Sequence, residues 1–443
     1  MEEVILLVLG KTFKGGFHVH DYKELSKDTD LKIVSAPDVV AIPLVQHIGN
    51  PAVALVKKGD QVKLGEKIGE ADGFISASVH SSVSGKVLKV EEYATQRGRH
   101  VQTIFIENDG KNTLGYEPLD RDWKSLSEEE IVHIIKEAGI TGLGGASFPT
   151  HVKVSPPPEK QIDSVIINAA ECEPYLTADD ITMRTNPQAV VEGLLIIKKA
   201  VGAKEAFITI EDNKPEAVEA LRPFCDANNV KLVIVKTKYP QGDEKRIIDV
   251  TLNRVVPQGK IPADVGVVVN NVSTAKAIYD AVRFGKPLYE RIATITGHGA
   301  VSPTNALIPI GTPINHIVKE LGGLKENAAQ IILGGPMMGK AIYSDEFPFE
   351  KSTNGLLIMT TEETVKKVAS PCIKCNRCAE VCPVRLVPYK LEQAVRFERE
   401  DMMQDYDIMA CIECGSCSYI CPASRPLVES IIIGKNQLRI KNS

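Results

Sequence analysis

No run of apolar residues in this 443-residue chain approaches the ~18 that a membrane-spanning helix needs, which excludes a spanning segment. Nor is positive charge in excess: 52 lysines and arginines face 57 aspartates and glutamates, for a net charge of −5. Without a basic field, nucleic acid is not an expected partner. The start, MEEVILLVLGKTF, lacks the basic n-region of a signal peptide and carries only a short apolar stretch. Cysteine is nearly missing from the first 370 residues, which hold two of the ten. The other eight form paired C-x-x-C runs followed by proline, which argues for metal in a reducing compartment rather than disulfides. The chain is too long for one ordinary domain, and about two to four are expected. Its composition, 43% apolar and 25% charged, is that of a soluble globular protein.

The eight clustered cysteines stand in two near copies, PCIKCNRCAEVCP at 371–383 and ACIECGSCSYICP at 410–422. C-x-x-C-x-x-C-x-x-x-C-P is the bacterial ferredoxin run, whose fourth cysteine ligates the other cluster. On that pattern Cys372, Cys375, Cys378 and Cys421 hold one 4Fe–4S cluster, and Cys411, Cys414, Cys417 and Cys382 hold the second. Zinc also uses C-x-x-C, but four cysteines in one run, twice over, are not a zinc-ribbon layout. Such clusters move electrons singly and are not themselves an electron source.

Along the chain, residues 30–95 alternate apolar and polar positions between the turn signals Gly59-Asp60 and Asp72-Gly73, as short strands do. The phrase VKKGDQVKLGEKIGE…SSVSGKV resembles the lipoyl/biotinyl-type barrel-sandwich. The hairpin tip, Ala71-Asp72-Gly73-Phe74, has no lysine to modify, so the fold is expected without a swinging arm. From about 120 the pattern becomes alternating helix and strand. Ser127 and Glu130 form a capping box ahead of one helix, and DSVIINAA, EAFITIE, VKLVIVK and DVGVVVNN read as buried parallel strands. Residues 290–345 look β-rich with one helix, and the tail from about 360 looks helical around the cysteines.

One loop, GITGLGGASFPTHVK at 139–153, offers Gly142, Gly144 and Gly145, then Phe148-Pro149 and Lys153. A Rossmann fingerprint would follow a strand and read G-x-G-x-x-G; here the loop follows a helix and its sixth position is Ser147. It is read as a different nucleotide cradle, with backbone amides free to approach a phosphate and Lys153 adding a charge. Asn168, Glu171 and Glu173 follow the strand DSVIINAA, at the end of an α/β sheet where ligands bind. Less is expected of the remaining candidates. His18 and His20 suit a surface, Cys172 a packed neutral thiol, and Cys225 a helix core.

Together these stretches resemble the NADH-binding flavoprotein subunit of respiratory complex I over roughly residues 120–345. That family reads G-x-G-G-A-G-F-P-T-x-x-K, N-A-D-E-x-E-P, Y-x-x-G-E-E and a C-N-V-E-T-like stretch. The resemblance implies that Gly142, Gly144, Gly145, Lys153, Asn168, Glu171, Tyr239, Gly242, Asp243, Asn270, Asn271 and Thr274 surround FMN. It implies that Phe148, Glu173 and Glu244 meet NAD(H). Ala170 replaces the family's aspartate, Ser147 its third glycine, and Pro156 an aromatic that would stack on adenine.

The order of parts resembles, over essentially the full chain, the RnfC family, one of the component families of the Rnf ferredoxin:NAD+ oxidoreductases; GGFHVHDYK, HIGNPA, SFPTHVK and GGPMMG all fit. The implied fold is a multidomain α/β protein. Its expected parts are a barrel-sandwich hybrid at 1–110, an α/β FMN/NADH-binding domain at 120–285, an SLBB-like β-grasp unit at 290–345, and a helical ferredoxin-like domain with two 4Fe–4S clusters at 360–443. The implied function is NAD(H) oxidation or reduction through FMN and two clusters, as a peripheral subunit on the cytoplasmic face of the cell membrane. Implied partners are the membrane and ferredoxin-oxidising subunits of the complex. Two alternatives stand beside it: a soluble cobalamin reductase, in which the barrel-sandwich follows the flavin domain, and an electron relay with a degenerate flavin site.

Overall fold

The computed structural model of the protein describes residues 10–96, 98, 100–365 and 368–441. Residues 1–9, most of the stretch weighed above as a signal peptide, lie outside them.

The N-terminal part is two small antiparallel sheets facing each other. One runs in the order Val39–Pro43, His100–Asn108, Gly85–Ala94, Gln61–Val62; the other in the order Val53–Ala54, Lys67–Glu70, Val79–His80. The register sets Val40 opposite Ile106 and Ile42 opposite Ile104, all four without solvent exposure. With Ile68, Val79 and Val87 they make one apolar core, each side chain contributing about 1.5–3 kcal/mol of burial. This is the barrel-sandwich, and Phe74 at its lysine-free tip is exposed.

The four β-branched runs form a parallel sheet in the order Lys231–Val235, Glu205–Glu211, Ser164–Ala169, Val267–Asn271. Ser127 caps helix Glu128–Glu137 with Glu130 bonding back, so the capping box is present. Helices Pro187–Ala200 and Val272–Phe284 press so closely that a Cβ at Gly193 would stand 2.0 Å from the Ala275 carbonyl. The ligand-binding end of this sheet is therefore held by a rigid helical backing.

The β-rich unit is larger than its pattern suggested. Its sheet has six strands, in the order Lys32–Ile33, Thr304–Pro309, Glu290–Thr296, Gly355–Thr360, Ala328–Leu333, Lys340–Ala341. A boundary at 345 cuts this sheet, because the buried strand Gly355–Thr360 sits between two earlier ones. The far edge is closed by Lys32–Ile33, from just ahead of the first barrel-sandwich strand.

The tail is helical and repeats itself. Short helices Arg377–Glu380 and Ser416–Tyr419 each carry the third cysteine of a run, and longer helices Pro388–Arg396 and Leu427–Lys441 pack beside them. Among the described residues, no helix is long and apolar enough to cross a membrane.

Candidate functional site

The glycine loop is a closed turn. The Gly142 amide donates to the Phe148 carbonyl at 2.8 Å, and the Ser147 amide donates to the Gly142 carbonyl at 3.0 Å. Ser147 occupies the left-handed region at φ 51, so the backbone keeps a conformation that favours glycine although the residue is serine. Gly145, at φ 112, leaves open space where a Cβ would be. The loop is tied to the strand ends behind it: the Leu143 amide donates to Thr274 Oγ1 at 2.9 Å, and a Cβ on Gly144 would stand 3.2 Å from the Asn271 side chain. Pro149 immediately precedes the one-turn helix Thr150–Lys153.

Lys153, at the end of that turn, pairs with Glu244 across 91 residues. This joins the glycine loop to the 239–244 loop. Asn168 joins the same loop from the sheet, its Nδ2 donating to the Gly242 carbonyl at 2.8 Å. The predicted residues thus converge from four segments.

Not all present their polar atoms to a ligand. The Glu171 carboxylate accepts from the Asp179 and Asp180 amides at 2.7 and 3.2 Å, capping helix Ala178–Thr185 from outside. Asp243 caps helix Glu244–Leu252 by accepting from the Arg246 amide. Asn271 caps helix Val272–Phe284 and donates to Asp179 at 2.6 Å. Glu173 accepts from the Met337 and Met338 amides at 3.1 and 2.9 Å; burial pushes its carboxyl up to about 7 although these two donors oppose the shift.

Several of the buried polar atoms without a partner lie on or beside these loops. Among the described residues, the Gln241 side-chain amide, Asn270 Nδ2, and the hydroxyls of Thr141, Ser147 and Thr150 are buried with no hydrogen-bond partner. Buried orphan groups cost about 1–3 kcal/mol each, and a cluster of them at the ends of parallel strands suits a polar ligand. Donors, acceptors, a glycine loop and the Lys153 charge fit a flavin nucleotide.

Four further residues of the site could not be recognised as such from the sequence: three hold its backbone, and one leaves a buried side-chain amide unpartnered. Lys23 donates to the carbonyls of Glu171 (2.9 Å), Glu173 (3.1 Å) and Leu176. Lys214 donates to the Ala170 carbonyl at 2.7 Å. Arg291, fully buried and pushed down to about 10 by desolvation, donates to the Leu143 carbonyl at 3.0 Å in the glycine loop. Gln241 is the fourth. Lys23 ends the stretch GGFHVHDYK, the one available signal.

In the tail, a cavity is lined by Cys372, Cys375, Cys378 and Cys421 together. Burial pushes the Cys378 thiol up, and Cys421 and Cys372 add to the push. Burial likewise raises the Cys417 thiol, followed by the thiols of Cys414, Cys411 and Cys382. The two runs use the same backbone: Lys374 and Asn376 in the first, Glu413 and Gly415 in the second, are all left-handed. This turns the Lys374 and Glu413 amides toward Cys372 Sγ and Cys411 Sγ, at 3.5 and 3.4 Å. Two sets of four thiols, each with a crossing member, suit two cubic clusters.

The second run touches the loops of the candidate site. Tyr239 Oη, buried, donates to the Cys414 carbonyl at 2.7 Å. A Cβ on Gly415 would stand 2.9 Å from the Met337 carbonyl, in the loop whose amides hold Glu173.

Comparison with known proteins agrees with this layout. The RnfC barrel sandwich hybrid domain matches residues 11–111, the Nuo51 FMN-binding domain 135–280, and the 4Fe-4S dicluster domain 364–422. The C subunit of the proton-translocating ferredoxin:NAD(+) oxidoreductase complex of Clostridium ljungdahlii is 45% identical, over 97% of this chain and 94% of its own length. Its counterpart in the Na(+)-translocating complex of Acetobacterium woodii is 43% identical, over 96% and 97%. That of the ion-translocating complex of Rhodobacter capsulatus is 39% identical, over 98% and 84%. Among solved structures, an NAD+-reducing NiFe-hydrogenase in its H2-reduced state has the same fold over 72% of this chain and 64% of its own, with a TM-score of 0.50 and 18% identity. The chain therefore belongs to the RnfC family of ion-translocating ferredoxin:NAD+ oxidoreductase complexes.

Proposed function

We infer that this chain is the NAD(H)-reactive electron-transfer subunit of such a complex, peripheral on the cytoplasmic face of the membrane and docked to the subunits that handle ferredoxin and ions. FMN, when bound, exchanges a hydride with NAD(H) and releases its electrons singly, as one-electron clusters require. The chain's own residues supply the rest. The loop 142–147 with Lys153, Asn168, Gln241 and Asn270 holds the flavin; Phe148, Glu173 and Glu244 receive the dinucleotide. Cys372, Cys375, Cys378 and Cys421 ligate one cluster, and Cys411, Cys414, Cys417 and Cys382 the other. Lys153, which pairs with Glu244, would supply positive charge to the flavin phosphate, and Glu244 would accept from ribose hydroxyls of the dinucleotide.

The observation that carries this reading is the hydrogen bond from Tyr239 to the Cys414 carbonyl. It ties the loop that lines the flavin site to a cluster-ligating segment, a contact that a separate relay module would not need. The order of parts, barrel-sandwich at 11–111 ahead of the flavin domain at 135–280, speaks against the cobalamin reductase arrangement. The test is anaerobic purification of the full chain, with flavin, iron and sulfide analysis and NADH oxidation with an artificial acceptor. One FMN, two 4Fe–4S clusters and NADH oxidation are expected; clusters without flavin or NADH activity would leave only a relay.

A further inference from the structure

Residues 15–23 precede the first barrel-sandwich strand, Val39–Pro43, and they bond to the flavin domain and to the tail. Phe17 and Tyr239 exchange backbone hydrogen bonds in both directions, each 3.0 Å. The Gly16 amide donates to the Val381 carbonyl at 2.8 Å, next to Cys382. The Phe17 ring stacks on Tyr419 (centroids 5.1 Å, 21°) and meets Tyr239 edge-on (6.0 Å, 66°). Tyr419 ends the short helix that carries Cys417. Further on, the Asp21 carbonyl accepts from the Tyr175 amide at 2.6 Å, and Lys23 holds the carbonyls of Glu171 and Glu173.

The backbone is committed to this path. Gly15 lies at φ 85, and a Cβ there would stand 2.6 Å from the Cys382 carbonyl; Gly16 lies at φ 67, where a Cβ would stand 2.6 Å from the Tyr239 carbonyl. Both contacts are with backbone, so neither neighbour can swing away. The segment touches the flavin-side loop on one edge and the surroundings of one thiol set, Cys382 and Cys417, on the other.

We propose that residues 15–23 form a strap that holds the cluster-bearing tail in register with the flavin domain, with Phe17 as its positioning residue for electron transfer between them. The proposal rests on the electron-transfer reading above. Electron transfer between two centres falls steeply with their separation, so a docking contact governs rate without touching either centre. Phe17 contributes two aromatic pairs to that docking, and losing both weakens it by about tenfold or more.

Hydrogen exchange and rapid mixing on the full chain with its cofactors test this, comparing Phe17→Ala, Phe17→Tyr and Gly15→Val. In Phe17→Ala the amides of Gly16, Phe17 and Tyr239 should exchange about tenfold faster or more, while those of Ile166 and Ile208 in the parallel sheet stay unchanged. Phe17→Tyr should restore the slow exchange. In Gly15→Val, NADH should bleach the flavin at the wild-type rate while cluster reduction lags about tenfold or more, the scale of a misplaced reacting pair. Strap amides exchanging at the wild-type rate, sheet amides quickening equally, or flavin lost with the ring would each overturn the strap. Wild-type chain whose flavin NADH cannot bleach would instead refute the functional reading, and the exchange comparison would still decide the strap.

Discussion

Tyr239 Oη donates to the main-chain oxygen of Cys414 at 2.7 Å, from a side chain almost fully removed from solvent. A donor at this carbonyl draws electron density from the ligand segment, which favours the reduced cluster. Tyr239→Phe should therefore lower the midpoint potential of the Cys411–Cys417 cluster. One neutral hydrogen bond sets the bound at about 60 mV for one electron. Redox titration followed by EPR checks it, with the other cluster as internal reference; a rise in potential would contradict the assignment.

Crossed ligation is tested by Cys421→Ala. Cys421 lines the cavity of Cys372, Cys375 and Cys378, although it belongs to the other run. The variant should lose or convert that cluster and keep the signal of the second. Damage confined to the second would sink the crossed assignment.

Glu173 should matter to NADH and not to flavin. Its carboxylate now accepts from Met337 and Met338, and a lost charged hydrogen bond is worth about 1.5–3 kcal/mol. Glu173→Ala should raise KM for NADH about tenfold or more with flavin content unchanged. Because burial lifts this carboxyl to about 7, NADH affinity in the wild type should weaken as pH falls through that value, and the variant should lack this dependence.

Lys351 offers a stability test. Its Nζ is fully buried and donates to the Ser78 and Gly139 carbonyls at 2.8 and 2.7 Å, joining the barrel-sandwich to the flavin domain. Desolvation pulls it down to about 7 from 10.5. Between those values the unfolded chain binds more protons than the folded one, so this lysine makes stability rise with pH by up to about 1.4 kcal/mol per unit. Melting temperatures of wild type and Lys351→Met across this range check it: the variant's curve should be flatter. Parallel curves would contradict the argument.

What was legible in the sequence was what is local. The cysteine spacing, the Ser127–Glu130 capping box and the β-branched strands each depend on residues a few positions apart, and each is present as read. Roles set by distant neighbours were not legible. Glu171 reads as a flavin contact, and its carboxylate also caps helix Ala178–Thr185, which its own segment does not announce. Strand Gly355–Thr360 does not read as part of the β-rich unit because its partners lie on strands that begin at Glu290 and Ala328. Lys351, on the connection into strand Gly355–Thr360, meets carbonyls more than 200 residues away. Ser147 is the informative intermediate: the expected glycine is missing, yet its left-handed backbone remains.

The central claim is that electrons pass between NADH and the clusters only by way of the flavin held by the glycine loop and Lys153. Lys153→Glu places a second carboxylate against Glu244 and, on the proposed reading, sets negative charge against the flavin phosphate, so it should shed flavin while leaving both clusters intact. Rapid mixing with NADH, followed by flavin absorbance and cluster EPR, is the direct measurement. The wild type should bleach its flavin and then reduce its clusters, and the flavin-free variant should leave both clusters oxidised. Clusters reduced by NADH in that variant at the wild-type rate would contradict the account.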